Sequence, residues 1–216
     1  ELGLPARRVH VTPLAGRPFM RPASPASVKE TTVRLGLARP YILCVGTWNR
    51  NKRIVDALRA TAMLKQRGID IDLALAGLPA PHVAPHYARE VARLGIAGRV
   101  HFLGRVADAD LPALYTGARA LVFASEYEGF GLPPLEAMAC GTPAIVSAIP
   151  VLQEHSAGAA ITVPTRSPGA IAASVEELLR SPTCRDEWIG RGLERAAKYS
   201  WDRTAAATME VYRGIA

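Results

Sequence analysis

Two short segments of the 216-residue chain combine glycine with charged side chains in a way that suits a phosphorylated ligand. The first, residues 46–53, has the sequence GTWNRNKR and carries three cations behind a glycine. The second, residues 125–141, has the sequence SEYEGFGLPPLEAMACG and places Glu128 and Glu136 on either side of a Gly-Phe-Gly core. Both segments follow short apolar runs, so both are expected to leave strands and enter helices.

In the first segment, Gly46 permits a sharp exit from the strand and Asn51 can cap the following helix. Arg50, Lys52 and Arg53 surround the N-terminus of that helix. Helix N-termini attract acids more often than bases, so these cations suit a visiting anion such as a diphosphate. A solvated charge run would have the same composition, and the spacing alone leaves both interpretations open.

In the second segment, the glycines let the backbone approach a ligand, and the amides of Phe130, Gly131 and Leu132 could face an anion. Glu136 falls in the opening turns of the helix, where a carboxylate can accept two hydrogen bonds from a ribose diol. Glu128 precedes the glycines and would point into the same crevice. In the alternative interpretation, Glu128 is a turn residue and Glu136 is a surface acid that interacts favourably with the helix dipole.

Short apolar runs alternate with helical patterns, which predicts βαβ units and a parallel sheet with right-handed crossovers. We therefore expect an α/β, Rossmann-like fold with helices on both faces, extra C-terminal helices, and ligands beyond the carboxyl ends of the strands. The predicted strands are Tyr41–Val45, Asp72–Ala76, 100–103, 120–124, Ala144–Ser147 and 160–163. The predicted helices are 54–67, 86–94, 110–116, 134–139, 170–179, 185–198 and Trp201–Arg213.

The N-terminal residues predict less regular structure. Residues 9–13 form a short strand-like piece, and residues 14–25 are rich in Pro, Gly and Ala, as linkers between domains are. The first residue is Glu rather than Met, and residues 1–8 resemble the end of an earlier element. We therefore expect residues 1–25 to be a linker with the remnant of a missing N-terminal domain, and residues 26–216 to form one ligand-binding domain.

The composition favours a cytoplasmic protein and disfavours several other classes. No apolar run approaches the roughly 20 residues of a membrane-spanning helix, and no secretory signal is visible. The three cysteines and five histidines lack metal-ligand spacing, so no metal is expected. Residues 1–53 hold ten basic residues against two acids, a charge of +8, so the rest of the chain contributes −1 to the net charge of +7. Because no element combines a basic stripe with interleaved aromatics, nucleic acid is not expected as a partner.

Residues 41–216 resemble the donor-binding domain of GT-B glycosyltransferases, specifically the large retaining group called glycosyltransferase family four. The stretch 128–143, EGFGLPPLEAMACGTP, is similar to the E-x7-E signature of that family nearly residue for residue. Supporting matches are VHFLGRV at 100–106, DLPALY at 110–115 and YSWDR at 199–203.

The resemblance implies roles for individual residues. Glu136 matches the glutamate that holds the nucleotide ribose, and Glu128 matches the catalytic-site glutamate that contacts the hydroxyls of the donor sugar. Lys52, six residues after Gly46, matches the lysine that binds the donor diphosphate. Many members carry an arginine where this chain has Thr47.

Three further assignments follow from the same resemblance. Because Thr47 replaces that arginine, Arg50 or Arg53 would have to supply the second cation. Backbone groups near Arg105 and Val106 correspond to the edge that recognises the nucleobase. Members of the family also bind phosphate through the amides of the two residues that follow the second glycine. Pro133 has no amide hydrogen, so only Leu132 can bind phosphate in this way here.

As a whole, the resemblance implies a metal-independent, retaining hexosyltransferase whose donor is a nucleotide diphosphate sugar, GDP- or UDP-linked, with no further cofactor. A mannose-like, GDP-linked donor is favoured. The acceptor would be a glycan or a lipid-linked molecule bound through the missing N-terminal domain, so the chain alone is expected to bind donor without turnover. Contact of the longer enzyme with the inner face of the membrane is left open. The alternatives are a non-catalytic nucleotide-sugar-binding module, or another GT-B enzyme such as a sugar-nucleotide epimerase.

Overall fold

The computed structural model describes residue 5 and residues 8–78 and 80–214. Its strands are β1 Tyr41–Val45, β2 Asp72–Ala76, β3 Val100–Gly104, β4 Ala120–Phe123, β5 Ala144–Ser147 and β6 Ile161–Val163. They form one parallel sheet in the order β3-β2-β1-β4-β5-β6. The predicted parallel sheet is confirmed, and each of these strands begins and ends within one residue of its predicted bounds.

Helices cover both faces of this sheet, as expected. Those that the structure describes are α1 Pro25–Arg34, α2 Ile54–Gln66, α3 Ala84–Arg93, α4 Leu111–Gly117, α5 Leu132–Ala139, α6 Pro150–Ser156, α7 Pro168–Arg180, α8 Pro182–Ala196 and α9 Trp201–Arg213. The predicted extra helices after the last strand correspond to α8 and α9. Every residue of α9 is exposed or half-buried, so this helix lies outside the two cores.

The strands supply alternate side chains to two hydrophobic cores. Ile42 and Cys44 pack on the face covered by α2, α3 and α7, whereas Tyr41 and Leu43 pack on the face covered by α4, α5 and α6. Successive side chains of a strand point to opposite faces. Because helices bury both faces, the strands are almost continuously apolar, which is the pattern that identified them.

The N-terminal region departs from the sequence-based expectation at two places. The strand predicted at residues 9–13 is wrong: this stretch is irregular and packs beside α9, where Thr204 Oγ1 donates a 2.6 Å hydrogen bond to the Pro13 carbonyl. Helix α1 was not predicted, because its sequence is polar and has no clear apolar stripe. Its start is set locally, since Ser24 caps the Ser27 amide at 3.2 Å and Pro25 occupies the first turn.

Helices in the C-terminal half also differ from the prediction: α7 begins two residues and α8 three residues before the predicted starts. α5 begins at Leu132, two residues before the predicted start. The first turn of a helix accommodates proline, because the amides of that turn need no intrahelical partner. α6 was not predicted, because its seven residues are too few to show an apolar period.

A buried carboxylate joins α2 to α3. Arg59 donates from Nε to Glu90 at 3.0 Å, and Arg93 donates from Nε and Nη2 at 2.8 Å each. The hydrogen bonds from Arg93, and then from Arg59, lower the pKa of Glu90 from 4.5 to about 2. The ionised form is therefore favoured by folding.

This pKa shift predicts a loss of stability in acid. The folded chain binds the Glu90 proton less readily than the unfolded chain, so the contribution is complete above pH 4.5 and disappears as the pH falls towards about 2. Urea unfolding near neutral pH and at about pH 2.5 should show a smaller acid-dependent loss for Glu90→Gln than for the wild type. Glu194→Gln, at an exposed position on α8, is the control and should follow the wild type. Equal losses in all three proteins would contradict the prediction.

Candidate functional site

The candidate site lies at the carboxyl ends of β1 and β4, where the order of the strands reverses. β1 leads into α2 on one face of the sheet, and β4 leads into α5 on the other face. The two connections therefore diverge and leave a crevice between them, which is where open parallel sheets bind their ligands. Both segments that the sequence singled out border this crevice.

Backbone contacts fix the position of the first segment. Gly46 adopts a φ of 133° and its amide bonds the Ala76 carbonyl at 3.0 Å. Gly77, which directly follows β2, approaches Gly46 so closely that a Cβ on Gly77 would lie 1.9 Å from the Gly46 carbonyl oxygen. Glycine is therefore required at position 77, and the exit of β1 is held against that of β2.

The two predicted segments contact each other directly. The Asn51 side-chain amide donates to the Tyr127 carbonyl at 3.2 Å, and the Glu126 amide donates to the Asn51 carbonyl at 2.8 Å. Asn51 was expected to cap α2, but this helix begins after Arg53 without a side-chain cap. Asn51 instead joins the loop after β1 to the loop after β4.

Lys52 and Glu128, predicted as separate donor contacts, form an ion pair. The Nζ and Oε1 atoms are 2.5 Å apart, and the side chains are 22% and 11% exposed. Lys52 Nζ also lies 5.1 Å from the centroid of the Phe123 ring, which closes its apolar side. The structure thus brings one cation and one carboxylate together at the centre of the crevice.

The two arginines considered as a second cation have different surroundings. Both Arg50 and Arg53 line a cavity of about 270 Å³ between the β1–α2 loop and α3, together with His86 and Arg89, but their partners differ. Arg53 donates from Nε and Nη2 to Asp56 at 2.9 Å each, and lies 3.6 Å from Glu126. Arg53 is therefore already neutralised, whereas Arg50 is exposed and faces α3.

The loop before α5 has a backbone that glycine permits. Gly131 is the N-cap residue of α5, with φ 93° and ψ 57°, and a Cβ there would lie 2.5 Å from Leu152 Cδ2. Phe130 precedes it. The Phe130 carbonyl contacts Nδ1 of His155, and the centroids of the two rings are 3.8 Å apart, with the ring planes tilted by 49°. Arg195 of α8 in turn donates to the His155 carbonyl at 2.6 Å. The loop is thus held from α6 and α8.

Glu136 is buried and doubly paired, so its interpretation as a surface acid is wrong. Its side chain is 3% exposed. Arg17 donates from Nε to Oε1 at 2.8 Å and from Nη2 to Oε2 at 3.1 Å, and the Tyr115 hydroxyl donates to Oε2 at 3.2 Å. Arg17 also donates from Nη1 to Asp108 at 2.8 Å. The hydrogen bond to Glu136 raises the pKa of Arg17, and burial raises that of Tyr115, so both remain protonated donors.

Sequence reasoning missed three residues of this site. Arg17 lies in the Pro- and Gly-rich stretch before α1, which carried no sign of a charged contact with α5. Tyr115 belongs to the 110–115 match but had no assigned role, and His155 was interpreted as a surface or loop residue although it is half-buried on α6. Trp48, considered for stacking on a base or sugar, is 1% exposed and packs against Tyr87 instead.

The remaining candidates lie around the crevice. Val106 is half-buried against the core beneath α4 and α5, in the loop that follows β3, and Leu132 opens α5. Cys44 and Cys140 are buried, as expected. Among the described residues, no three His, Cys, Asp or Glu side chains are grouped to hold a metal ion. Over the same residues, no helix is long and apolar enough to cross a membrane.

The backbone of the signature loop predicts unequal effects of two neighbouring substitutions. Gly131→Ala should lower the free energy of unfolding by roughly 1–3 kcal/mol, because alanine is strained at positive φ and would meet Leu152. Gly129→Ala is the matched control, since a Cβ at this position has no atom within 4 Å. Urea denaturation measures both free energies of unfolding. A loss of stability in Gly129→Ala as large as that in Gly131→Ala would contradict the requirement for glycine at position 131.

A comparison with known protein families places this arrangement among related chains. The family profile described as "Glycosyl transferases group 1" matches residues 31–195. O-antigen chain mannosyltransferase B of Escherichia coli is 34% identical over 211 residues, which cover 97% of this chain and 55% of that protein. The chain spans about half the length of such curated relatives.

Solved structures show the same fold. Sucrose-phosphate synthase from Thermosynechococcus elongatus superposes with a TM-score of 0.82 at 27% identity, over 94% of this chain and 52% of that one. The C-terminal domain of the group 1 glycosyl transferase LpcC from Francisella tularensis gives 0.70 at 23% identity, over 83% and 94%. Anabaena HepE in complex with UDP-glucose gives 0.79 at 18% identity, over 90% and 54%. The sheet and its helices match the C-terminal, Rossmann-like half of GT-B glycosyltransferases.

Proposed function

The chain belongs to the glycosyl transferases group 1 family, and from this premise we propose that it is the nucleotide-sugar-binding domain of a retaining, family-four glycosyltransferase. The observation that carries the proposal is the crevice in which Lys52, Glu128 and the N-terminus of α5 adjoin. A cation beside a helix N-terminus suits a diphosphate, and an adjacent carboxylate suits the hydroxyls of a sugar.

The proposed transfer uses the charges of this crevice. As the bond between sugar and diphosphate breaks, negative charge grows on the leaving diphosphate. Lys52 and the first amides of α5 stabilise that charge, which is the work that a divalent metal does in other transferases. Glu128 binds the hydroxyls of the donor sugar, and Glu136 binds the ribose.

Donor and acceptor are proposed at a coarser level. The similarity to a protein named O-antigen chain mannosyltransferase supports a mannose-like sugar on GDP, and the fold shared with a protein solved with UDP-glucose keeps UDP as the second choice. We place the acceptor, a glycan or a lipid-linked molecule, opposite this crevice, where the rest of a longer enzyme would bind it. The cytoplasm supplies such donors, and we propose that the enzyme works there.

Calorimetric titration with GDP, UDP and ADP tests the nucleotide site. One nucleotide should bind in the micromolar to millimolar range, and Lys52→Ala and Glu136→Gln should each weaken it about tenfold or more, because each removes a charged hydrogen-bond partner. Lys198→Ala, which removes an exposed lysine after α8, is the control for net charge and should bind as the wild type does. Binding of none of the three nucleotides, or equal weakening in the control, would overturn the proposal.

The role proposed for Glu128 predicts a difference between two ligands. Glu128→Gln should weaken binding of a sugar nucleotide, with GDP-mannose and UDP-glucose as probes, more than binding of the matching nucleoside diphosphate. The reason is that this carboxylate would face the sugar hydroxyls. Equal weakening for both ligands would contradict contact with the sugar and would mean that Glu128 acts only by orienting Lys52.

A further inference from the structure

The acceptor capacity of Glu136 does not fit a ribose diol while Arg17 is in place. A carboxylate offers about four acceptor positions, two on each oxygen. Arg17 Nη2 and the Tyr115 hydroxyl both donate to Oε2, and Arg17 Nε donates to Oε1. One position on Oε1 remains, whereas a diol that binds a carboxylate through both hydroxyls needs two.

The segment that carries Arg17 also covers the carboxylate physically. A Cβ on Gly16 would lie 3.4 Å from Glu136 Cγ, so the backbone rests against this side chain. Trp201 of α9 holds the segment there by donating from Nε1 to the Gly16 carbonyl at 3.0 Å. Arg17 is 36% exposed and Glu136 only 3%, so the guanidinium stands between the carboxylate and the solvent.

We propose that Arg17 occupies the ribose position on Glu136 in the nucleotide-free chain and thereby lowers the affinity of the site for ribonucleotides. The inference rests on the proposed function, because it takes a nucleotide as the ligand. Ribose reaches Glu136 by displacing the guanidinium of Arg17. Arg17 is thus an internal competitor of the ligand.

The surroundings make this displacement feasible. Arg17 already donates from Nη1 to Asp108 at 2.8 Å, and Asp108 is 71% exposed. The guanidinium therefore keeps a carboxylate partner when it leaves Glu136, and avoids the cost of an unpaired charge. Tyr115 is fully enclosed and remains a donor to Oε2, so it holds Glu136 in position during the exchange.

Only ligands that offer two hydroxyls take part in this exchange. A ligand must replace two hydrogen bonds from a guanidinium, and a single hydroxyl replaces only one. Ligands without the diol leave Arg17 in place and gain nothing from Glu136. The competition therefore lowers the affinity for ribonucleotides and leaves the affinity for dideoxy forms unchanged, which narrows the preference of the site for ribonucleotides.

The test is calorimetry with Arg17→Met, which removes the guanidinium and keeps an apolar stem. GDP, UDP and ADP are the probes, followed by the 2′,3′-dideoxy form of whichever nucleotide binds. The variant should bind the ribonucleotide about tenfold more tightly than the wild type, and the dideoxy form with unchanged affinity. Arg21→Met is the matched control, because it removes an exposed cation four residues along the same segment.

The sign of the effect separates displacement from general electrostatics. Loss of a nearby cation ordinarily weakens binding of an anionic nucleotide, so tighter binding by Arg17→Met together with unchanged or weaker binding by Arg21→Met supports the inference. If Arg17→Met fails to fold, as judged by thermal unfolding, Arg17→Lys replaces it, since an ammonium cannot make the two-pronged contact and should also tighten binding. Weaker or unchanged binding by the folded variant, while the wild type binds, overturns the inference and leaves the proposed function intact. Binding by neither protein refutes the proposed function itself, and the inference with it.

Discussion

The parallel pairing of β1 with β4 is the constraint on which the rest of the site depends. Ile42 lies beside Ala120 and Leu43 beside Leu121, so two strands that are far apart in the chain end at the same edge of the sheet. Their helices leave on opposite faces, which opens the crevice. Asn51 then joins the two loops through its side chain and its carbonyl. Without this strand order, the cations of one loop and the glutamates of the other would not lie at the same edge of the sheet.

Charge in the crevice is paired before any ligand arrives. Lys52 holds Glu128, and Arg17 holds Glu136, with the two carboxylates largely or wholly buried. An unpaired buried charge costs several kcal/mol, so each carboxylate is stabilised by its cationic partner. Ligand binding at such a site is an exchange of partners, in which the gain from new hydrogen bonds is offset by the loss of old ones. Affinity then depends on which internal pairs must break.

The C-terminal helices support the site as well as the sheet. The Phe130 ring packs against His155 of α6 in a tilted contact. The ring of Tyr199, which follows α8, lies 6.2 Å from the Phe130 ring in an edge-on contact. Arg195 of α8 donates a hydrogen bond to the His155 carbonyl and so connects α8 to α6. Because the amides that open α5 follow Phe130 directly, the orientation of the proposed phosphate-binding turn depends on side chains that come 25 to 69 positions later in the chain.

The sequence by itself determined the sheet, most helices of the βαβ units and the position of Lys52, Glu128 and Glu136 in the segments that follow β1 and β4. These features are encoded locally, because strands buried on both faces are continuous apolar runs and a turn at positive φ favours glycine. The sequence did not determine α1 or α6, whose residues are too polar or too few to show a period. Only the tertiary structure decided that Arg17 and Tyr115 hold Glu136. Arg17 is 119 positions from Glu136 in an irregular segment, and such a contact depends on the path of that segment over the folded domain, which no local pattern of residues records.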